Sequence, residues 1–193
     1  MAVQEHVQAL AGWYARRNLP SIAQHDTVPD RAQPPRRMSV HSYGILLYRR
    51  TGGHLQVMLV HPGGPFWAGR DTGAWSIPKG LPEENEAPLA TARREFREET
   101  GFEVDGAFLA LGELKQPSGK IIHAWALEHD LDVSRIVSNT FTLEWPRQSG
   151  ERREYPEVDA GRWFAIDAAR QRISAGQAAF LDRLLERLHA PGA

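Results

Sequence analysis

The sequence contains no cysteine. Its absence excludes disulfides, thiolate nucleophiles and cysteine-ligated zinc, and it agrees with a reducing compartment. Neither sign of charge dominates: 23 Lys and Arg stand against 24 Asp and Glu, for a net charge of -1. An overall electrostatic pull toward nucleic acid or a membrane surface is therefore not expected. No apolar run approaches the roughly 20 residues that a membrane-spanning helix needs. The opening stretch "MAVQEHVQALAGWYARRN" lacks the unbroken apolar core of a signal peptide. The expectation is a cytoplasmic protein with neither nucleic-acid nor membrane partners. No internal repeat is visible, and the eight histidines show no metal-ligand spacing such as His-Glu-x-x-His.

What is present suits an ordinary globular domain. The 193 residues are 41% hydrophobic and 24% charged, enough for one domain with a sizeable core. Val3, Val7, Leu10, Ala11 and Tyr14 follow helical spacing, and a proline-rich stretch follows them. We therefore divide the chain into an N-terminal helix and arm, 1–38, and a compact domain, 39–193. In the domain, "SVHSYGILLYRR" and "LQVMLVHP" read as strands around the turn "TGGH". "AWSIPKG" reads as a short strand, and "EVDGAFLALGELKQ" with "KIIHAWALEH" as a hairpin around "PSGK". "SNTFTLEWP" and "GRWFAI" are further strands, while Leu181, Leu184, Leu185 and Leu188 mark a closing helix. Strands on either side of a central helix, with a second helix at the end, predict an α/β fold with a mixed sheet covered by helices.

The central helix carries the chemistry. Within "ARREFREETGF", Glu95, Glu98 and Glu99 fall within about 100° of one another around the helix axis. Like charges at this spacing cost about 0.2–0.5 kcal/mol per pair. A bound hard cation would offset that cost, since oxygen ligands suit Mg²⁺ or Mn²⁺. Leu89, Ala92 and Phe96 would then face a core and leave the acids facing outward.

The wider spacing narrows the reading. Gly80 is followed after five residues by Glu86, and after seven more by Arg94-Glu95-Phe96, Glu98-Glu99 and Gly101-Phe102. This pattern resembles the Nudix box at every defining position. Chance agreement at usual residue frequencies is expected on the order of once in a hundred million windows or rarer. The resemblance implies the Nudix fold, a mixed β-sheet sandwiched between helices (α/β/α). It implies that Glu95, Glu98 and Glu99, with the Gly80 carbonyl, hold divalent cations. Arg94 would steer a carboxylate by ion pairing, and Glu86 would brace the loop or join the outer metal shell. Gly80 and Gly101 would supply backbone freedom. The implied reaction is attack of water on phosphorus in a nucleoside diphosphate linked to another moiety. The general base is open between Glu98 or Glu95 and a later acid among Glu144, Glu151, Glu154 and Glu157.

Several residues outside the box are candidates for substrate contact. Lys79, in "PKG", would neutralise a phosphate as a point charge or simply meet water in a turn. Trp67, on a Gly/Pro-rich loop, would stack on a nucleobase or tuck against the domain. Arg147, Arg152 and Arg153, in the charged loop "RQSGERREYPE", would grip distal phosphates or remain solvated. Trp75, Trp125 and Trp163 read as core, and Pro117 as a hairpin-turn residue. The tract "WSIPKG" is similar to that in Nudix hydrolases acting on diadenosine and inositol polyphosphates. Dinucleoside polyphosphates are therefore the leading substrate class. Modified nucleoside triphosphates or ADP-ribose come next, then a non-catalytic nucleotide-binding role. Isomerases of this fold that use a catalytic cysteine are excluded. The expected state is a monomer or homodimer that binds a nucleotide-type small molecule.

Overall fold

The computed structural model describes residues 39–190. The expected N-terminal helix and arm lie outside the described residues. Strands β1 (His41–Thr51) and β2 (His54–Pro62) form an antiparallel hairpin. Gly52 and Gly53 make its turn with φ of 57° and 79°, a left-handed conformation open to glycine at no steric cost. A long loop then leads to β3 (Lys79–Gly80) and helix α1 (Pro88–Thr100). Next come β4 (Leu109–Lys115), β5 (Ile121–Glu128), a 3₁₀ turn (Val133–Arg135), β6 (Thr140–Glu144), β7 (Arg152–Pro156) and β8 (Val158–Ala165). Helices α2 (Ile166–Arg172) and α3 (Ala179–His189) close the described chain.

The main sheet runs in the order β4-β5-β1-β2-β8, with β3 paired to β1 near Gly44. β1 and β5 are parallel and the other pairs are antiparallel, so the sheet is mixed. β1 and β2 are covered on both sides, which explains their nearly continuous apolar runs. Ile45, Leu47, Met58 and Val60 pack with Ala92 and Phe96 of α1. The alternate residues Leu46, Tyr48, Val57 and Leu59 pack with Ala169 of α2 and with Phe180, Leu181 and Leu184 of α3. The period of two along each strand thus builds a three-layer α/β/α domain with a core on each side of the sheet.

Three local expectations are revised. The charged stretch after Arg147 is not all loop, because Arg152–Pro156 forms β7 and pairs with β6 in a separate two-stranded sheet. β7 has no buried residue, so its sequence lacks the apolar alternation that would mark a strand. β8 begins at Val158 and ends at Ala165, with Ile166 already in helix α2. Of "AWSIPKG", only Lys79 and Gly80 are strand, while Trp75 and Ser76 make isolated bridges. No helix among the described residues is long and apolar enough to cross a membrane.

Candidate active site

Helix α1 starts with Pro88, whose missing N–H costs nothing in the first turn. It ends at Gly101, where φ is 77° and the amide donates to the Arg97 carbonyl at 2.7 Å. Ala92 and Phe96 are fully buried beneath it. The acidic side of the helix is not turned to water as the periodicity suggests. Glu95 and Glu99 are buried, at 3% and 8% exposure, and Glu98 is half-buried. β3 and the loop after it cover this side. A Cβ built on Gly80 would lie 1.8 Å from Glu95 Oε2, so the carboxylate rests against the bare glycine backbone. Glu99 Oε2 accepts the Lys79 amide N–H at 3.1 Å.

Arg94 organises the remaining acids. Its Nη1 donates to Glu95 Oε1 at 3.0 Å and to Glu98 Oε2 at 3.1 Å. Its Nε and Nη2 reach the two oxygens of Glu86, and Nη2 also reaches the Leu81 carbonyl at 2.8 Å. Glu86 Oε2 in turn accepts from the Glu83 amide and the Thr91 hydroxyl. One guanidinium thus ties the loop after Gly80 to the helix and to two of its acids. These hydrogen bonds from Arg94, ahead of those from Glu83 and Thr91, hold the Glu86 carboxyl down to about 2.

A fourth acid arrives from far along the chain. The Asn139 amide donates to the Glu98 carbonyl at 2.8 Å, and the Glu157 amide donates to the Asn139 carbonyl at 2.8 Å. The Gly63 amide then donates to the Glu157 carbonyl at 3.0 Å. This chain of backbone bonds fixes Glu157, at the β7–β8 corner, where its carboxyl interacts with Glu98 and Lys79. Of the four later acids, Glu157 is the one brought to the cluster. Glu144, Glu151 and Glu154 bond within the β6–β7 hairpin instead. Lys120 also joins, interacting with Lys79, Glu99 and Glu95. No spacing in the sequence marks it, because the β4–β5 pairing is what delivers it.

Electrostatically the cluster is strained. Burial pushes the Glu95 carboxyl up to about 7 and the Glu99 carboxyl up to about 8, with Arg94 and Lys79 respectively opposing the rise. Burial and the Glu98 charge raise Glu157 as well. Burial lowers Lys120 to about 8. Among the described residues, no three His, Cys, Asp or Glu side chains are arranged to hold a metal ion. The carboxylate heads are taken up by Arg94 and the Lys79 amide. Their donor type still fits a hard divalent cation, since every group is a carboxylate or carbonyl oxygen and the buried negative charge lacks full compensation.

The other candidates lie elsewhere. Trp67 is half-buried against the core on the α3 side of the sheet, with the Arg70 guanidinium 5.8 Å from its ring. Arg152 is exposed at the start of β7, and Arg153 pairs with Glu151 at 2.9 Å. Arg147 lies 5.0 Å from the Phe66 ring. Trp75 is buried, whereas Trp125 and Trp163 are only partly so.

Comparison with known proteins accords with this geometry. A family model described as the NUDIX domain matches residues 38–184. The C. elegans Ap4A hydrolase structure superposes with a TM-score of 0.52 at 18% identity, covering 77% of this chain and 97% of that one. The NUDIX domain of Shewanella oneidensis NrtR, solved with ADP ribose, gives 0.56 at 16% identity, covering 81% and 94%. At such identities these likenesses speak for the fold alone. A stretch of 34 residues is 64% identical to the mRNA-decapping protein g5R of African swine fever virus. That stretch is 18% of this chain and only 14% of the viral protein's length. Because the family model covers most of the chain, the protein belongs to the NUDIX domain family.

Proposed function

We propose that the protein is a Mg²⁺-dependent pyrophosphohydrolase that cleaves a phosphoanhydride bond in dinucleoside polyphosphates. The observation that carries this reading is the gathering of Glu95, Glu98, Glu99 and Glu157 beside Lys79 and Lys120. Acids and lysines so interleaved suit a substrate that is itself a chain of anions. Glu95, Glu98 and Glu99, with the Gly80 carbonyl, would hold the cation; Mn²⁺ fits the same oxygen donors. When bound, the ion neutralises diphosphate charge and acidifies the attacking water.

The chain's own residues supply the rest. Arg94 restrains Glu95 and Glu98 in their resting positions through its Nη1. Glu86 keeps Arg94 in place and so fixes the loop that presents Gly80. Lys79 meets a phosphate oxygen as a point charge. Glu98, half-buried and so open to water, takes the proton from the nucleophile as phosphorus is attacked. Glu157 is the alternative base, because it approaches the same acid from a separate element. Trp67 and Arg152 are the outer contacts of this proposal, stacking on a base and pairing with a distal phosphate.

The "WSIPKG" tract supports the dinucleotide class. Product analysis in ¹⁸O-labelled water with a panel of diadenosine polyphosphates, oxidised nucleoside triphosphates and ADP-ribose tests the reading. The expected result is turnover of diadenosine polyphosphates with label in a single phosphate product. Turnover confined to ADP-ribose would overturn the substrate class. Nucleotide binding without turnover across the panel would overturn catalysis itself.

A further inference from the structure

Two lysines and one serine share one side of the sheet, and both lysines interact with the carboxylates. Lys79 of β3 pairs with Gly44 of β1. A Cβ on Gly44 would lie 2.7 Å from the Lys79 Cβ and 2.5 Å from the Pro78 carbonyl oxygen. The bare position therefore leaves room for the Lys79 stem on the α3 side of the sheet. On the other flank of β1, Ser42 pairs with Ile122 of β5. Lys120 precedes Ile122 by two residues and so falls on the same side. Ser42, two residues before Gly44, is on that side too.

The arrangement is held in place. The Gln116 amide donates to the Lys120 carbonyl at 2.7 Å, closing the β4–β5 turn. Gln116 Nε2 donates to the Gly176 carbonyl at 2.6 Å, tying that turn to the segment before α3. A Cβ on Gly176 would fall 1.9 Å from Gln116 Oε1, so a side chain there would displace the Gln116 amide from this bond. Next to it, Gln177 Oε1 accepts the Ile77 amide at 3.0 Å and fixes the lead into β3.

Neutralising Glu95 and Glu99 would account for the lysines but not for the serine. Ser42 is completely buried, and among the described residues its Oγ has no hydrogen-bond partner. A buried hydroxyl left unpaired is destabilising, and a polar ligand is one explanation for keeping it. An acceptor-only anion set among two ammonium groups and one hydroxyl would satisfy all three.

We propose that Lys79, Ser42 and Lys120 form a phosphoryl cradle that takes a further phosphate of the substrate, next to the diphosphate under attack. This rests on the function proposed above and sharpens it: the cradle selects chains of three or more phosphates over a lone diphosphate such as ADP-ribose. Lys120 is its specificity-determining residue.

Two measurements test the cradle. Calorimetry with inorganic tripolyphosphate in EDTA reads it without metal or turnover, and kinetics compare diadenosine tetraphosphate with ADP-ribose. Lys120→Gln is expected to weaken tripolyphosphate binding at least tenfold and to raise KM for the tetraphosphate similarly, a larger rise than that in KM for ADP-ribose. Lys120→Arg should restore most of the affinity. Ser42→Ala should weaken binding several-fold while leaving the unliganded thermal midpoint equal or higher, which a purely structural serine would not do. If wild type turns over the tetraphosphate yet Lys120→Gln and Ser42→Ala match it in both measurements, the cradle is wrong and the proposed function stands. If wild type cleaves no nucleotide but binds tripolyphosphate through Lys120, the function is wrong and the cradle stands.

Discussion

Arg94 grips Glu86 with two parallel hydrogen bonds, Nε to Oε1 and Nη2 to Oε2, each 2.9 Å long and spanning eight residues of sequence. The pair is the hinge between the loop that presents Gly80 and the helix that carries the acids. Both side chains are mostly buried, at 17% and 16% exposure, so the contact is shielded from salt and water.

Glu86→Gln should therefore cost roughly 2 kcal/mol of stability at neutral pH, the worth of charge-assisted bonds in a shielded place. The folded protein holds this carboxyl at about 2, below its ordinary 4.5. A depressed carboxyl stabilises the fold above its unfolded pKa and loses that contribution as pH falls through the folded value. The wild-type advantage over Glu86→Gln should shrink between about pH 4.5 and 2. Thermal denaturation of both proteins across that range measures it, and a constant gap would contradict the prediction.

Glu98→Gln should lower kcat by about 10³-fold or more while the melting temperature shifts little. General-base removal typically costs 10²–10⁴-fold, and a half-buried acid carries little of the core. Near wild-type turnover would mean that the base lies elsewhere.

Glu157→Gln decides between the two bases. If Glu98 is the base, loss of Glu157 should cost only about tenfold in kcat through altered electrostatics. A loss of about 10³-fold or more from Glu157→Gln, with Glu98→Gln milder, would move the role to the β7–β8 corner.

Gly80→Ala should damage both fold and activity. The new methyl would occupy the place of the Glu95 carboxylate, 1.8 Å from Oε2. Overpacking of this kind costs about 1–3 kcal/mol, and activity should fall on the order of 100-fold as Glu95 is displaced. Denaturant titration and steady-state rates on the purified variant check both effects.

Chelation should abolish turnover without unfolding the protein. Excess Mg²⁺ should restore activity and raise the melting temperature, because an ion bound only by the folded state stabilises it by mass action. A midpoint indifferent to Mg²⁺, with turnover persisting in EDTA, would contradict the proposed metal requirement.

Much of this molecule can be read from local pattern. The runs around Ile45 and Val57, the helix from Pro88 to Gly101 and the leucines after Phe180 are recoverable, because side-chain period follows directly from backbone geometry. β7 escapes that test: a hairpin outside the core needs no apolar face. Glu157 looks like any other surface acid until the bonds through Asn139 set it against Glu98.

The sequence by itself determined the family and the spacing of the acid helix, since those reside in residues close along the chain. Only the tertiary structure decided that Glu95 and Glu99 are buried, that Glu157 and Lys120 join them, and that the buried Ser42 Oγ has no hydrogen-bond partner among the described residues. The reason is physical. Burial and electrostatic coupling depend on which distant segments pair, and a two-residue period tells which side of a strand is apolar but not which strand lies next to it.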